Sequence, residues 1–402
     1  MRCCMIGCGK LGKDCAEVIS LQYPIVGYDI EKIESNGLII LQDLQTAVKD
    51  KDIIFIAVPT PHEKEFGGET PISTLPATDF DYTIVKNVLT ELNSFCTKKQ
   101  LVVLISTVLP GTIRKEFEPV IKNYRFIYNP YLIAMGTIKY DMKNPEMVII
   151  GTKDGDTSAD AELLVNFYKP LMENNPRFVI GTWDEAESIK IFYNTFISAK
   201  LSLVNMIQDV AQKNGNINVD VVTTALAEST NRIMGPGYMT AGMGDGGACH
   251  PRDNIALRYL AQRLDLGYDL FDTIMVAREK QAENLAKFLV EIASKKNLPI
   301  LIHGKAYKPG VHYLEGSYSL LVGYYCKNEG YDPIYVDPYT DPSNKSYSAV
   351  VLLAHNNKIT YGVSDKNDFY CKINTDSIIV DPWRSFFSND YEVVHYGNTR
   401  TQ

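Results

Sequence analysis

The sequence predicts an α/β protein: two parallel-sheet domains joined by a long central helix and a helical dimerisation region. Three patterns carry that expectation. Short apolar runs alternate with helical patterns from the N-terminus, a weakly charged helical stretch fills the middle, and a second series of short apolar runs begins at Ile300. At 402 residues the chain is too long for a single core. The expected domains are residues 1–183, 184–296 and 297–402.

Strands of the first domain are expected at Cys3–Ile6, Ile25–Tyr28, Ile53–Val58, Leu101–Ser106, Phe126–Tyr128 and Met147–Ile150. Each is too short for a helix and largely apolar on successive residues, as a strand covered on both faces must be. Thr60 to Tyr82 is rich in Pro, Gly, Thr and Glu and too long for a simple connection; it reads either as a mobile loop near a ligand or as a disordered insertion. From Glu185 to Gly215 the pattern becomes one helix, with Ile189, Tyr193, Phe196, Ile197, Leu201 and Val204 on its apolar side. Few charges interrupt it, so burial between layers is expected, and the polar groups it keeps then need partners or a function. Helices continue to about Lys296. Ile300–Gly304, Ile334–Asp337, Val350–Ala354 and Ile378–Asp381 read as strands of the second sheet.

A hydrophobic fraction of 45% allows sizeable cores, and a net charge of −8 gives no general attraction to nucleic acid or anionic membrane. An anionic ligand would therefore depend on local cations. The longest plainly apolar stretch, Leu101 to Ile113, is too short to span a bilayer, and Lys10 and Lys13 interrupt any signal-peptide pattern, so a soluble cytoplasmic protein is expected. The eight cysteines show neither CxxC nor paired spacing, and no metal site is expected.

Gly7-Cys8-Gly9-Lys10-Leu11-Gly12 follows one expected strand and opens a helix, and Asp29 ends the next strand. Gly7 permits a tight turn, Gly9 a close approach of pyrophosphate to the backbone, and Gly12 close helix packing, while the helix N-terminus offers N–H groups to an anion. Asp29 is placed to accept from ribose hydroxyls and to repel a 2′-phosphate. The fold expected around this pattern is Rossmann-like, and the cofactor NAD rather than NADP.

A second pattern is Gly242 to Asp253, GMGDGGACHPRD. Its glycines let a ligand approach the main chain, and Pro251 suits the first turn of a helix continued by Ile255, Leu257, Leu260, Ala261 and Leu264. Cys249, at that helix start, reads either as a nucleophile with a lowered thiol pKa or as a structural cysteine beside a turn. Asp253 would share its face, orienting a water or Lys190, or capping the helix. Lys190 and Asn194, one helical turn apart, read either as a pocket pair or as a solvent-facing lysine and a structural amide.

Together with Val58-Pro59-Thr60-Pro61, Ser106-Thr107-Val108, Pro110-Gly111-Thr112, Asn129-Pro130, Gly136-Thr137, Asp141, Arg232-Ile233 and Ala306-Tyr307-Lys308-Pro309, these residues resemble, in order and approximate spacing, the nucleotide-sugar dehydrogenases of the UDP-glucose/GDP-mannose dehydrogenase family. The resemblance covers nearly the whole chain. It implies NAD-dependent four-electron oxidation of a nucleotide sugar to its carboxylate, of use in polysaccharide biosynthesis, through a thiohemiacetal and then a thioester on Cys249. Lys190 and Asn194 would stabilise charge on the sugar oxygen, Lys190 also taking a proton, and Thr107 would help place water near the thioester. Lys10, Leu11, Pro59, Thr60, Ser106 and Thr107 would join the glycines and Asp29 around the cofactor. Gly246, Lys308, Arg384 and, from the neighbouring subunit of a homodimer, Arg232 would bind the substrate. UDP-glucose is expected first, with UDP-N-acetylhexosamines and GDP-mannose behind it. Tyr131 and Met135 stand where the common pattern has glutamates, and Glu315 where it has an arginine near the cofactor. A catalytically weak protein that only binds these nucleotides is the alternative from another class.

Overall fold

The computed structural model describes the chain except residues 10, 36, 62–77, 135, 236–240, 244–248, 357–368 and 399–402, together with the side chains of helical residues 201, 202, 205, 249, 250, 252, 253, 256 and 257. Most of the Thr60–Tyr82 stretch, Lys10, Met135, Gly246 and the side chains of Cys249 and Asp253 thus lie outside the described residues. The chain forms two compact units, Met1–Lys200 and Leu201–Gln402.

The first unit holds an eight-stranded sheet: β1 (Cys3–Ile6), β2 (Ile25–Tyr28), β3 (Ile40–Leu41), β4 (Ile53–Ile56), β5 (Leu101–Leu104), β6 (Arg125–Tyr128), β7 (Met147–Thr152) and β8 (Arg177–Thr182), in the order β3-β2-β1-β4-β5-β6-β7-β8. Its helices are α1 (Gly12–Ser20), α2 (Leu44–Val48), α3 (Thr83–Leu92), α4 (Ile138–Lys143), α5 (Ala159–Tyr168) and the start of α6 (Trp183–Asn214). The continuous apolar runs have a direct cause. Cys3, Met5, Ile53, Phe55, Leu101 and Val103 face one core with Cys15, Ala16 and Ile19 of α1, whereas Cys4, Ile6, Ile54, Ile56, Val102 and Leu104 face another with Val85 and Leu89 of α3. Strand order reverses between β1 and β4, which opens a crevice at their carboxyl ends, the usual ligand position in such sheets.

Two expectations need correction. The sheet is not wholly parallel: β7 pairs antiparallel with β6 and parallel with β8, so the last two strands run against the first six. The central helix is also not buried throughout. Trp183, Ala186 and Glu187 in its first turns are buried, but Phe192 is 57% exposed and Phe196 54%, because beyond Ile189 the helix no longer packs on the sheet cores.

The second unit holds α7 (Val219–Ala227), α8 (Cys249–Arg263), α9 (Leu270–Lys296), β9 (Ile300–His303), α10 (Tyr318–Asn328), β10 (Ile334–Val336), β11 (Ser346–Tyr347), β12 (Val350–Leu353), β13 (Lys372–Ile373), β14 (Ile378–Asp381) and β15 (Glu392–His395). Its main sheet is parallel in the order β10-β9-β12-β14-β15, again reversing once, between β9 and β12. Asp269 caps α9 through Asp272 N–H, and Asn297 ends it in the left-handed conformation, φ 53°, returning its N–H to Ala293 and Ser294. Among the described residues no helix is long and apolar enough to cross a membrane, no group of side chains suits a metal ion, and the described cysteines are free thiols.

Candidate active site

The glycine-rich turn after β1 has three different glycines. Gly7 adopts φ 87°, and a Cβ there would lie 2.9 Å from the main chain of Ala57 and Val58 after β4. A Cβ on Gly12 would stand 1.8 Å from the Gly7 carbonyl oxygen, so α1 can start this close to β1 only without a side chain. Gly9 has nothing within 4 Å of its Cβ position. That open face, at the N-terminus of a helix, fits the pyrophosphate of a dinucleotide. Asp29, at the end of β2, accepts from Cys8 N–H at 2.7 Å through Oδ2 and from Glu31 N–H at 3.0 Å through Oδ1, so the carboxylate expected at the ribose also shapes the glycine-rich loop. Leu11 packs on the core beneath. Cys8 is buried, its thiol pushed up to about 11 by desolvation first and the Asp29 charge second, which excludes it as a nucleophile near neutral pH.

Ser106 and Thr107 follow β5. Ser106 Oγ donates to the Val58 carbonyl at 2.6 Å, and Thr60 Oγ1 donates to the Thr107 carbonyl at 2.8 Å. The turns after β4 and β5 are thereby tied together beside the glycine loop, and Pro59, Thr60, Ser106 and Thr107 are brought to one rim. Thr107 uses only its carbonyl in that bond.

Lys190, on α6, is half-buried, and its ammonium donates to the Tyr131 carbonyl at 2.7 Å. Desolvation lowers its pKa. Asn194 one turn later is exposed. Tyr131 itself turns its hydroxyl away from the lysine to Tyr168, at 2.7 Å, and Tyr168 donates to Asn129 Oδ1 at 2.5 Å, whose amide donates to the Ile149 carbonyl. Burial drives the Tyr131 phenol well above its ordinary pKa, so this residue supplies Lys190 with a carbonyl and no acid.

Glu187, three residues before Lys190, is fully buried and was not singled out in the sequence. It accepts from Gly111 N–H at 2.5 Å and from Ile113 N–H at 2.8 Å. The residue pattern carried little sign of it, because Glu187 points away from the side of the helix that carries Ile189, Tyr193 and Phe196, and only the packing of the first turns of α6 on the sheet buries it.

In the second unit, Asp337 at the end of β10 accepts from the N–H groups of Lys305 and Ala306 at 3.0 and 3.1 Å, after Gly304 at φ 105°. The pairing of Asp29 with the loop after β1 is thus repeated at the loop carrying Lys308. Lys308 is exposed and lies over the Tyr307 ring, its Nζ 5.3 Å from the centroid. Arg384 adopts φ 54° and donates to the carbonyls of Pro382, Tyr396 and Ala241; Trp383 packs against Gly242, where a Cβ would come within 2.1 Å of the indole. The end of β14 therefore grips the start of the glycine-rich segment. Cys249 is the first residue of α8, with Pro251 in its first turn. Arg232 is exposed after α7.

A sequence model of the UDP-glucose/GDP-mannose dehydrogenase family's NAD-binding domain matches residues 30–172, and one of the same family's central domain matches residues 184–279, together more than half of the chain. The chain is 27% identical over 314 residues to the UDP-glucose 6-dehydrogenase of Rhizobium meliloti, 75% of this chain and 68% of that one. It is 28% identical over 320 residues to the UDP-glucose 6-dehydrogenase of Bacillus subtilis, 77% of this chain and 64% of that one. Its matched segment thus spans about two thirds of these relatives. A solved GDP-mannose dehydrogenase from Pseudomonas aeruginosa superposes with TM-score 0.78 over 98% of this chain and 99% of that one, at 21% identity, a likeness of fold.

Proposed function

As the chain belongs to the UDP-glucose/GDP-mannose dehydrogenase family and carries its NAD-binding domain, we propose that it oxidises the primary alcohol of a nucleotide sugar to the carboxylate, with UDP-glucose the expected substrate. Bound NAD supplies the hydride acceptor, one molecule for each of two oxidations. The chain's own groups handle protons and the carbonyl carbon. Lys190, as the neutral amine that its lowered pKa favours, takes the alcohol proton, and the ammonium so formed holds the oxygen's developing negative charge, helped by Asn194. The Cys249 thiolate adds to the aldehyde carbon to give a thiohemiacetal, which after the second oxidation is a thioester. Water, placed with Thr107 and Asp253, opens the thioester, releasing the acid and returning the thiol. Lys308, Arg384 and Arg232 are assigned to the nucleotide-sugar end, Arg232 from the partner of a homodimer.

The observation that carries this reading is Lys190. A half-buried ammonium held on a main-chain carbonyl, with its pKa lowered by desolvation, is suited to exchanging a proton and poorly suited to a purely structural ion pair. The apolar face left open on α6 supports the dimer. The test is a panel of UDP-glucose, UDP-N-acetylhexosamines and GDP-mannose with NAD, following NADH and acid. About two NADH per sugar are expected from the thioester route. One NADH with aldehyde released would overturn the second oxidation; tight binding of both ligands without turnover would favour a binding protein.

A further inference from the structure

The Ser106–Thr107 rim needs a support that the motifs do not name. Behind it the chain turns through Pro110 and Gly111, the latter at φ 88°, into a short π-helical turn at Ile113–Phe117. Two amides of this turn, those of Gly111 and Ile113, point into the protein and both end on the Glu187 carboxylate. Glu187 and Lys190 are three residues apart on α6, so one helical turn carries both the proton-handling ammonium and the group that holds the loop. Other contacts secure the loop from the far side: Tyr82 Oη accepts from Leu109 N–H at 3.2 Å and bonds Thr112 Oγ1 at 3.3 Å.

We propose that Glu187 is a positioning residue for the reaction, its carboxylate clamping the Gly111 and Ile113 amides so that Ser106 and Thr107 keep a fixed place relative to Lys190. The assignment rests on the dehydrogenase reading above. Only the ionised carboxylate can accept from both amides through two unprotonated oxygens; a protonated one spends an oxygen as a donor. Burial pushes Glu187 up to about 7, with the two amides pulling the other way. The charged or titratable groups acting on it are Asp184 on its own helix, Arg114 on the π-helical turn and Tyr128 on β6. Asp184 and Arg114 are paired with each other at 2.8 Å. The clamp is therefore complete above pH 7 and loosened below it.

Glu187→Gln tests this, because the amide offers one acceptor and sets an NH₂ against the other N–H. The expected result is a fall in kcat of about 10²-fold, the size of effect a displaced positioning group produces, with the KM for nucleotide sugar within about threefold. The acid limb of kcat near pH 7 should also vanish in the variant. Wild-type activity on the panel is the control, so a failed dehydrogenase reading is seen before the variant is judged. An unchanged kcat, or an acid limb that persists unaltered in a folded Glu187→Gln protein, would overturn the proposal. Should that variant not fold, amide exchange at Gly111 and Ile113 in the wild type decides. After correction for intrinsic rates, protection should fall from pH 8 to pH 6, and constant protection refutes the clamp.

Discussion

A single carboxylate shows how far a residue's type predicts its work. Asp29 was readable as the acid at the end of the second strand, and the structure adds that its Oδ2 also holds the Cys8 amide. These duties separate in part in the variant Asp29→Asn, which keeps one acceptor for the Cys8 amide, gives up the one for the Glu31 amide, and removes the charge expected to repel a 2′-phosphate. Relative to wild type, the NADP-to-NAD ratio of kcat/KM should rise by roughly tenfold, the size of one lost charged interaction, whereas Asp29→Ala should also weaken NAD by loosening the loop. Equal coenzyme preference in wild type and Asp29→Asn would remove the ribose assignment. Lys190 was legible with Asn194 as a polar pair one turn apart on the central helix, but its partner was not: a main-chain carbonyl leaves no mark in a residue pattern. The same limit hid the turn of Tyr131 toward Tyr168, since only packing decides which way a phenol points.

Elements were legible where local pattern and burial agree. The runs at β1, β4 and β5 lie between two cores, so every residue is apolar and the strand declares itself. β8 mixes polar and apolar residues at the sheet edge and β3 has two residues, and both escaped. Strand direction escaped as well, for nothing in Met147–Thr152 records that β7 runs against β6. Where an element's close approach depends on one atom, the prediction is sharp. Gly12→Ala would put a methyl 1.8 Å from the Gly7 carbonyl oxygen, and α1 must move off β1. We expect a loss of about 1–3 kcal/mol in unfolding free energy, typical of an overpacked site, with NAD affinity lost more completely than stability. Gly9→Ala, with open space at its Cβ, should keep wild-type stability and still lose NAD. Calorimetric melting with coenzyme titration of the two variants separates these cases; equal melting temperatures would contradict the packing role of Gly12.

At the scale of the whole molecule, the central helix carries the question the single chain leaves open. Its first turns anchor on the sheet through Trp183, Ala186 and Glu187, while Phe192, Phe196 and Ile197 beyond them are exposed in the chain by itself. Large apolar side chains in that number on one helix call for a cover, and a second copy of the chain would supply one by symmetry. If Arg232 serves the partner's substrate, the active site is composite, and two inactive variants should complement each other. Arg232→Ala retains Cys249 but lacks the arginine its partner needs; Cys249→Ser retains the arginine but lacks the sulfur. In a mixed dimer one of the two sites receives both groups. Co-refolding equal amounts should restore roughly a quarter of wild-type activity, since random pairing makes half the dimers mixed and each has one complete site. An arginine serving its own chain's site yields no complete site in any pairing, so activity staying at the level of the separate variants would place Arg232 within its own subunit.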